Sequence, residues 1–418
     1  MKKYRAGTLQ LVTFIAMVIA LLLSMFIILI HVHKQFRIKT YHTIETVALV
    51  NNGIGALLYS EIPQNDTIAI RLNDETYKSL SVYKSIWGSF DIVQSQAQIK
   101  NKRLVRTALV GWERHNQNSH VLHLTDNNKP LILVGNTTIN GNAFLPKRGV
   151  KSGNINGSSY FNDTYVNGTI KRSGSLPKLN TDLISHLNTL KTNGLVLDMA
   201  KPISLEASTS YSNSFKNPPQ IAFSNSDLHL DDIALTGHII IQSQTKIIVA
   251  KSATLTDVIL VAPIIEIQSN VQGTFQAFAT ERIHVDEYVD LGYPSALVLL
   301  HDYLEGEGSA TKSIALMDHS KIEGHIMALG KSAPNNYDAQ IKISANAIVE
   351  GVVYCEQNLE LRGTVYGSVY TNEFIIKEAG SVYQNHLYNA WIDHGKLPDA
   401  FVGLHLEDSK KAIMKWLY

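Results

Sequence analysis

The sequence predicts a mainly β protein with an N-terminal transmembrane helix, a small antiparallel sheet, a right-handed parallel β-helix and a C-terminal cap. An apolar run, Leu11 to Ile30, follows a basic N-terminus. From Ile341 to Thr371, apolar or glycine residues alternate with residues that are mostly polar or Tyr, which is the period of an extended chain with one buried face. Motifs recur within this stretch, since Gly351-Val-Val-Tyr354 returns sixteen residues later as Gly367-Ser-Val-Tyr370.

The apolar run has only two polar members, Thr13 and Ser24, and is long enough to cross a bilayer. It passes directly into a basic segment without a small-residue cleavage site, which favours an uncleaved signal anchor. We therefore expect a single-pass membrane protein that contacts the lipid bilayer through Leu11 to Ile30. Basic residues flank both ends, and we place the C-terminal domain outside the cytoplasm because a large Asn- and Thr-rich β region typically lies there.

Beyond the membrane, apolar residues recur at spacings of three and four up to Leu58. This pattern predicts that the helix continues as a stalk, so that residues 1–60 form one anchor and stalk unit. Gly53 and Gly55 are expected to loosen its end.

The entry segment RAGTLQLVTFIAMVIALLLSMFIILI resembles the start of type IV prepilins and type II secretion pseudopilins. The resemblance implies that Gly7 ends a leader and that Thr8 is the first mature residue, which makes this bond a possible processing site. Family members typically have a hydrophobic first mature residue and Glu at the fifth position, where this chain has Thr8 and Val12. A plain stalk that docks on a β domain would need the same helical pattern.

The residue pattern from 61 to 134 predicts a small antiparallel β unit. Its predicted strands are Thr67 to Leu72, Ser85 to Val93 and Arg103 to Val110, followed by a hairpin of Val121 to Thr125 with Pro130 to Val134. Residues 135–220 are expected to hold irregular first coils, a helix capped near Asn180 and a polar connector.

Residues 221–385 are predicted to be the parallel β-helix. Like residues recur at a spacing of eighteen in the series Ile247, Ile265 and Ile283, and at twenty-seven from Ile314 to Ile341 and from Gly324 to Gly351. A loop at Lys331 to Asp338 explains the longer step. Leu297 is expected to stack on Ile314, and Val353 on Val369. Residues 386–418 leave the repeat and are the candidate cap of the last coil.

The Val-Tyr-Gly-Ser-Val-Tyr pattern between Ile341 and Tyr383 resembles the bactofilins, a family of polymer-forming β-helical scaffold proteins. The resemblance implies a scaffold role with self-association. Bactofilins lack such a long anchor and a bulky C-terminal cap.

Composition narrows the possible partners and chemistry. Lys plus Arg is 37 against 36 Asp plus Glu, so no bulk charge favours nucleic acid, and we expect none as a partner. The single cysteine, Cys355, is one of the alternating residues that are predicted to point inward, and we expect it to be a small buried packing residue. No Walker loop, serine nucleophile elbow or HExxH spacing occurs, so we assign no catalytic, cofactor-binding or metal-binding residues and no cofactor.

Three groups of residues bear on a glycan-active enzyme or a glycan-binding surface, which stay open as alternatives. The acidic residues Asp286, Glu287, Asp290 and Asp302 are the nearest approach to a carboxylate site, although alternation points Asp286 and Glu287 to opposite faces. The histidines His284, His301, His319 and His325 are scattered, and the outward tyrosines Tyr354, Tyr366, Tyr370 and Tyr383 would form either a glycan-binding ladder or stacked rungs.

The sequence as a whole predicts a membrane-anchored structural or binding rod of the bacterial cell envelope. Its expected partners are a second copy, another envelope protein or a glycan. A pseudopilin-like assembly subunit and a glycan-active β-helix enzyme are the alternatives.

Overall fold

The computed structural model describes residues 6–60, 63–72, 77–113, 120–193, 200–206, 208–301, 312–331, 335–398, 400–404, 406 and 410–418. The chain divides into two compact units. The first unit holds the chain up to Leu57 together with Thr67–Tyr83 and Gln94–Arg106. The second unit holds Leu58–Asp66, Lys84–Val93 and Thr107–Tyr418.

The first unit is built on one helix, Ala6–Tyr59, which confirms the predicted long N-terminal helix. The side chains from Leu11 to Ile30 are exposed, and the helix is long and apolar enough to span a membrane. The helix continues through Gly53 and Gly55 to Tyr59, and the expectation that these glycines loosen its end stays a prediction.

The distal part of this helix packs on strand residues of the first unit. Val50 is buried in a small apolar core with Leu80 and Ala97. At Gly53, an added Cβ would lie 2.1 Å from the Ser95 Oγ, so this glycine permits a close approach of helix and strand.

The small antiparallel sheet is confirmed. Its strands are Asp66–Ile70, Lys78–Trp87, Phe90–Ile99 and Lys102–Glu113 in that order, and the C-terminal strands Val402–Gly403 and Lys411–Leu417 both pair antiparallel with Lys102–Glu113. The predicted single strand Ser85 to Val93 is wrong. Its centre is a turn, in which Gly88 has φ +66°, a conformation that favours glycine.

Most of the second unit consists of strands that pair in parallel. Their bounds are His120–Leu124, Leu131–Val134, Thr138–Asn140, Asn142–Leu145, Val150–Ser152, Ile170–Arg172, Lys201–Pro202, Ser210–Asn213, Gln220–Ser224, Leu228–Leu230, Ala234–Gly237, Ile239–Ser243, Lys246–Val249, Thr254–Ile267, Gln272–Val285, Asp290–Leu300, Ser313–Leu316, Lys321–Leu329, Ile341–Ile343, Ile348–Leu361, Thr364–Glu378, His386–Tyr388 and Trp391–Asp393. Two short antiparallel additions complete the set, namely Asn154–Ile155 with Ser158–Ser159, and Ser381–Gln384 with Thr364–Glu378.

The register of these strands confirms much of the predicted stacking. Ile247 pairs with Ile265, which pairs with Ile283, and Gly324 pairs with Gly351. Val353 lies opposite Val369, as expected.

The predicted pairing of Leu297 with Ile314 is wrong, because Leu297 pairs with Ile326 and Ile314 pairs with Ile283. Thirty-one residues separate Ile283 from Ile314 in the sequence, and the shorter recurrence of Leu297 at Ile314 concealed this longer step.

The predicted hairpin between Val121 and Val134 is also wrong. Leu122 pairs in parallel with Val369 on one side and with Ala143 on the other, whereas Leu133 pairs in parallel with Leu387. Residues from the predicted cap continue this pairing, since Trp391–Asp393 lies between Thr364–Tyr366 and Thr138–Asn140. A pattern of alternating residues predicts a strand but does not identify its partner.

A second helix, Thr181–Asn193, confirms the predicted cap at Asn180. The Asn180 Oδ1 accepts hydrogen bonds from the backbone N–H groups of Asp182 and Leu183 at 2.9 and 3.3 Å.

The apolar core of the second unit has two layers. Inward side chains of the parallel strands form one continuous cluster that includes Leu122, Val353 and Val369. A second cluster lies on the outer side of the strands, where Leu183 and Leu187 of the second helix join residues such as Met327. One outward face of the parallel strands is therefore buried as well.

Candidate functional sites

The predicted processing site lies at the start of the long helix. The helix begins at Ala6, and an added Cβ at Gly7 would meet no atom within 4 Å. Cleavage between Gly7 and Thr8 stays a prediction.

The described residues of the predicted acidic cluster lie around the connection between two consecutive strands, Gln272–Val285 and Asp290–Leu300. Asp286 follows the strand Gln272–Val285 in a turn, where its carboxylate accepts a 2.9 Å hydrogen bond from the Glu287 N–H. Hydrogen bonds from Ser269 and Glu287 lower the pKa of Asp286, which is the wrong direction for a general acid. Asp290 begins the next strand opposite Gln272, and Asp302 lies outside the described residues.

The four histidines are also dispersed. His284 pairs in register with Ala315, His319 stacks on Tyr288 with ring centroids 4.9 Å apart, and His325 is buried. His301 follows the strand that ends at Leu300. Within the described ranges, no group of three or more His, Cys, Asp or Glu residues is placed to hold a metal ion.

The tyrosine ladder is only partly outward-facing. Tyr354 and Tyr370 pair in register with ring centroids 6.1 Å apart, but both are buried in the outer apolar cluster. The Tyr354 hydroxyl donates to the Pro177 carbonyl at 3.0 Å. A glycan platform at these two residues is therefore wrong, because other segments of the chain cover the outward face. Tyr366 and Tyr383 are half-buried.

Cys355 is completely buried, as expected. Burial raises the pKa of its thiol to about 12, so the thiol stays protonated at neutral pH and is a packing residue.

One connected group of buried polar residues, built on Ser89, Gln276 and His325, is a feature that sequence reasoning missed. The turn residue Ser89 donates its hydroxyl to the Gln276 Oε1 at 2.9 Å, and its backbone N–H donates to the same oxygen at 2.8 Å. The Gln276 Nε2 donates to the Trp87 carbonyl at 3.0 Å. The His325 Nε2 lies 2.8 Å from the Ser89 Oγ.

Two small residues make room for this network. Gln276 and His325 flank Ala296 in the parallel register, so only a methyl group stands between these two side chains on the sheet. At Gly88, an added Cβ would lie 2.2 Å from the Gln276 Oε1. The glycine before the serine is the only local signal for this turn, and nothing in the sequence indicates that its partners lie 187 and 236 residues away.

The Ser89 and His325 pair resembles a nucleophile with its base, but the hydrogen bonding opposes that role. The single hydroxyl proton goes to Gln276, so the His325 Nε2 must donate to Ser89 and cannot accept its proton. Burial lowers the pKa of His325 to about 3, which keeps the ring neutral. The adjoining cavity, lined by Ser89, Asp91 and Gly111, has a volume of only about 10 Å³. The arrangement is a structural anchor for the turn.

No protein-family model matches this chain, and no curated protein matches it. Among solved structures, the chain is similar to the competence-associated pilin ComZ from Thermus thermophilus, with 10% sequence identity and a TM-score of 0.24 over 85% of this chain and 86% of that chain. A likeness of this degree carries no argument about fold or function. The resemblance to bactofilins stays a prediction.

Proposed function

We propose that this protein is a membrane-anchored structural or binding component of a bacterial cell envelope, with its second unit outside the cytoplasm. The observation that carries the proposal is the first half of the long helix, where the side chains from Leu11 to Ile30 are exposed and almost all apolar. Exposed apolar surface of this extent is stable in a bilayer and not in water.

The parallel strands support a finer proposal for the second unit, that it is a right-handed parallel β-helix. Successive partners such as Ile247, Ile265 and Ile283 follow at regular spacings, and their side chains lie in one continuous interior cluster. Stacked coils of this kind bury one face of every strand, which is how a solenoid gains stability from its neighbours.

Membrane fractionation of the expressed full chain tests the anchor. Replacement of Leu21 and Leu22 by Lys places two charges near the centre of the apolar run, at a cost of about 2.5–3.5 kcal/mol each, and should release the protein from the membrane. Protease added to spheroplasts, in which the outer face of the cytoplasmic membrane is accessible, should digest the second unit only if it lies outside the cytoplasm. A wild-type protein that stays soluble, or that is protected from external protease, would contradict the proposal.

A pseudopilin-like assembly subunit is the second candidate. The observation that favours it is the single unbroken helix, which is apolar in its first half and buries Val50 against strand residues in its second half. Mass measurement of the purified protein tests this candidate, since an intact Met1 would exclude processing after Gly7. Electron microscopy of the protein would show whether it forms filaments.

A further inference from the structure

A cavity of about 230 Å³ lies on the outer side of the parallel strands in the second unit. Its walls include the rings of Tyr293 and Phe401 and the side chain of Leu397, and its polar lining includes Glu323 and Glu350. None of these residues belongs to the predicted acidic or aromatic groups.

The two carboxylates are adjacent because of the strand register. Glu323 and Glu350 occupy opposite positions on neighbouring parallel strands, and like charges placed in this way repel each other. Lys321 lies between them, with its Nζ 2.7 Å from the Glu323 Oε1 and 3.1 Å from the Glu350 Oε1. Two carboxylates share one ammonium group, so the three residues keep a net charge of −1.

The aromatic wall is held in place independently of these charges. The Tyr293 hydroxyl donates to the Val402 carbonyl at 2.9 Å, and the Tyr293 and Phe401 ring centroids lie 5.4 Å apart. Phe401 lies over Gly351, where an added Cβ would be 3.1 Å from its Cζ. The lack of a side chain at Gly351 therefore lets the ring close one side of the cavity.

We propose that this cavity, hereafter the Glu323 pocket, binds an alkylammonium group. A residual negative charge beside aromatic and aliphatic walls suits a cation with an apolar stem, because the carboxylates attract the charge and the rings attract both cation and stem. A divalent metal ion keeps a shell of oxygen ligands or water, for which Leu397 and Phe401 offer nothing. The group would come from a free amine or from a lysine side chain of a partner polypeptide.

Isothermal titration of the full chain in detergent tests the proposal with n-pentylammonium as the probe, n-pentanol as the neutral analogue and the peptide Gly-Lys-Gly as the second source. We expect saturable binding of the ammonium probe, none of the alcohol, and weaker binding at high salt. Binding of the peptide as well would identify a protein lysine as a source, and binding of the amine alone would identify a free amine.

The variants Glu350→Gln and Phe401→Leu should each weaken binding of the ammonium probe by about tenfold. The first removes a carboxylate charge, and the second removes the aromatic ring that attracts the cation. The matched control is Glu266→Gln, because Glu266 is an outward glutamate that pairs with Lys246 at 2.9 Å and Arg282 at 3.2 Å and does not line the cavity. Equal affinity of Glu350→Gln and wild type, equal binding of pentanol, or no saturable binding would overturn the proposal. None of these outcomes depends on membrane location or filament formation.

Discussion

Val353 and Val369 occupy opposite positions on neighbouring parallel strands, and neither side chain is exposed to solvent. The pair places two strands in register at the centre of the inner apolar cluster. A polar group introduced here has no partner, so this position tests the register directly.

The variant Val369→Asp should destabilise the protein by several kcal/mol, because it buries a carboxylate without a partner. The adjacent residue Ser368 points to the other face of the strand, but it cannot serve as an exposed control. It is buried, and its hydroxyl donates to the His120 carbonyl at 2.9 Å. Thr236→Asp is the better control because Thr236 is exposed on the outward side of its strand, and we expect a change below about 0.5 kcal/mol. Denaturant unfolding measures both, and equal midpoints would exclude the observed register.

The variant Gln276→Ala should destabilise the second unit by removing the partners of the Ser89 N–H, the Ser89 hydroxyl and the Trp87 carbonyl. An unsatisfied buried polar group costs about 1–3 kcal/mol, and three groups lose their partner here. Gln268→Ala, at an exposed position after the strand Thr254–Ile267, serves as the control. Similar unfolding free energies for the two variants would show that the turn at Ser89 does not depend on Gln276.

Stability should fall as the pH is lowered from about 6.5 towards 3. Burial lowers the pKa of His325 from 6.5 to about 3, so the unfolded chain takes up a proton more readily than the folded protein. The contribution of neutral His325 is fully present above its unfolded pKa and is lost as the pH falls through this window.

The variant His325→Gln should therefore reduce the loss of stability between pH 7 and pH 4, as measured by denaturant unfolding at each pH. His319→Asn, which replaces an exposed histidine in a turn, is the control substitution. An identical slope in His325→Gln and wild type would mean that His325 does not contribute to the pH dependence.

The variant Gly53→Val should destabilise the first unit by about 1–3 kcal/mol, because its side chain would overlap Ser95 and Leu80. Gly55→Val is a matched control two residues along the same helix, where an added Cβ meets no atom within 4 Å. We expect the control to change stability by less than about 0.5 kcal/mol. Thermal unfolding followed by circular dichroism compares them, and an equal effect of both substitutions would argue against the close approach at Gly53.

The sequence predicts the individual strands and helices better than it predicts which strands pair with each other. The two-residue period identified Val353 and Val369 as inward and opposite. Side chains that stack in the same interior must both be apolar, so the pattern repeats from strand to strand. The same period at Leu122 predicts a strand but not its partner, because alternation carries no information about whether the neighbouring strand is near or far in the chain.

The candidate sites were harder to predict for a related reason. The alternation predicts that the Tyr354 ring points away from the inner apolar cluster, but it does not predict that the ring is exposed to solvent. The segment at Pro177 covers this ring. The approach of Ser89 to His325 and the closure of the Glu323 pocket by Phe401 join residues remote in sequence, and no local pattern encodes such contacts.

The pairing of Leu122 with Val369 also has a consequence for how the protein is made. The His120 carbonyl accepts a hydrogen bond from Ser368, which is 248 residues later in the chain. At typical rates of synthesis, the ribosome needs on the order of tens of seconds to cover that distance. The strand His120–Leu124 therefore emerges long before its partner exists, and its edge must be kept from aggregating until Thr364–Glu378 has followed it.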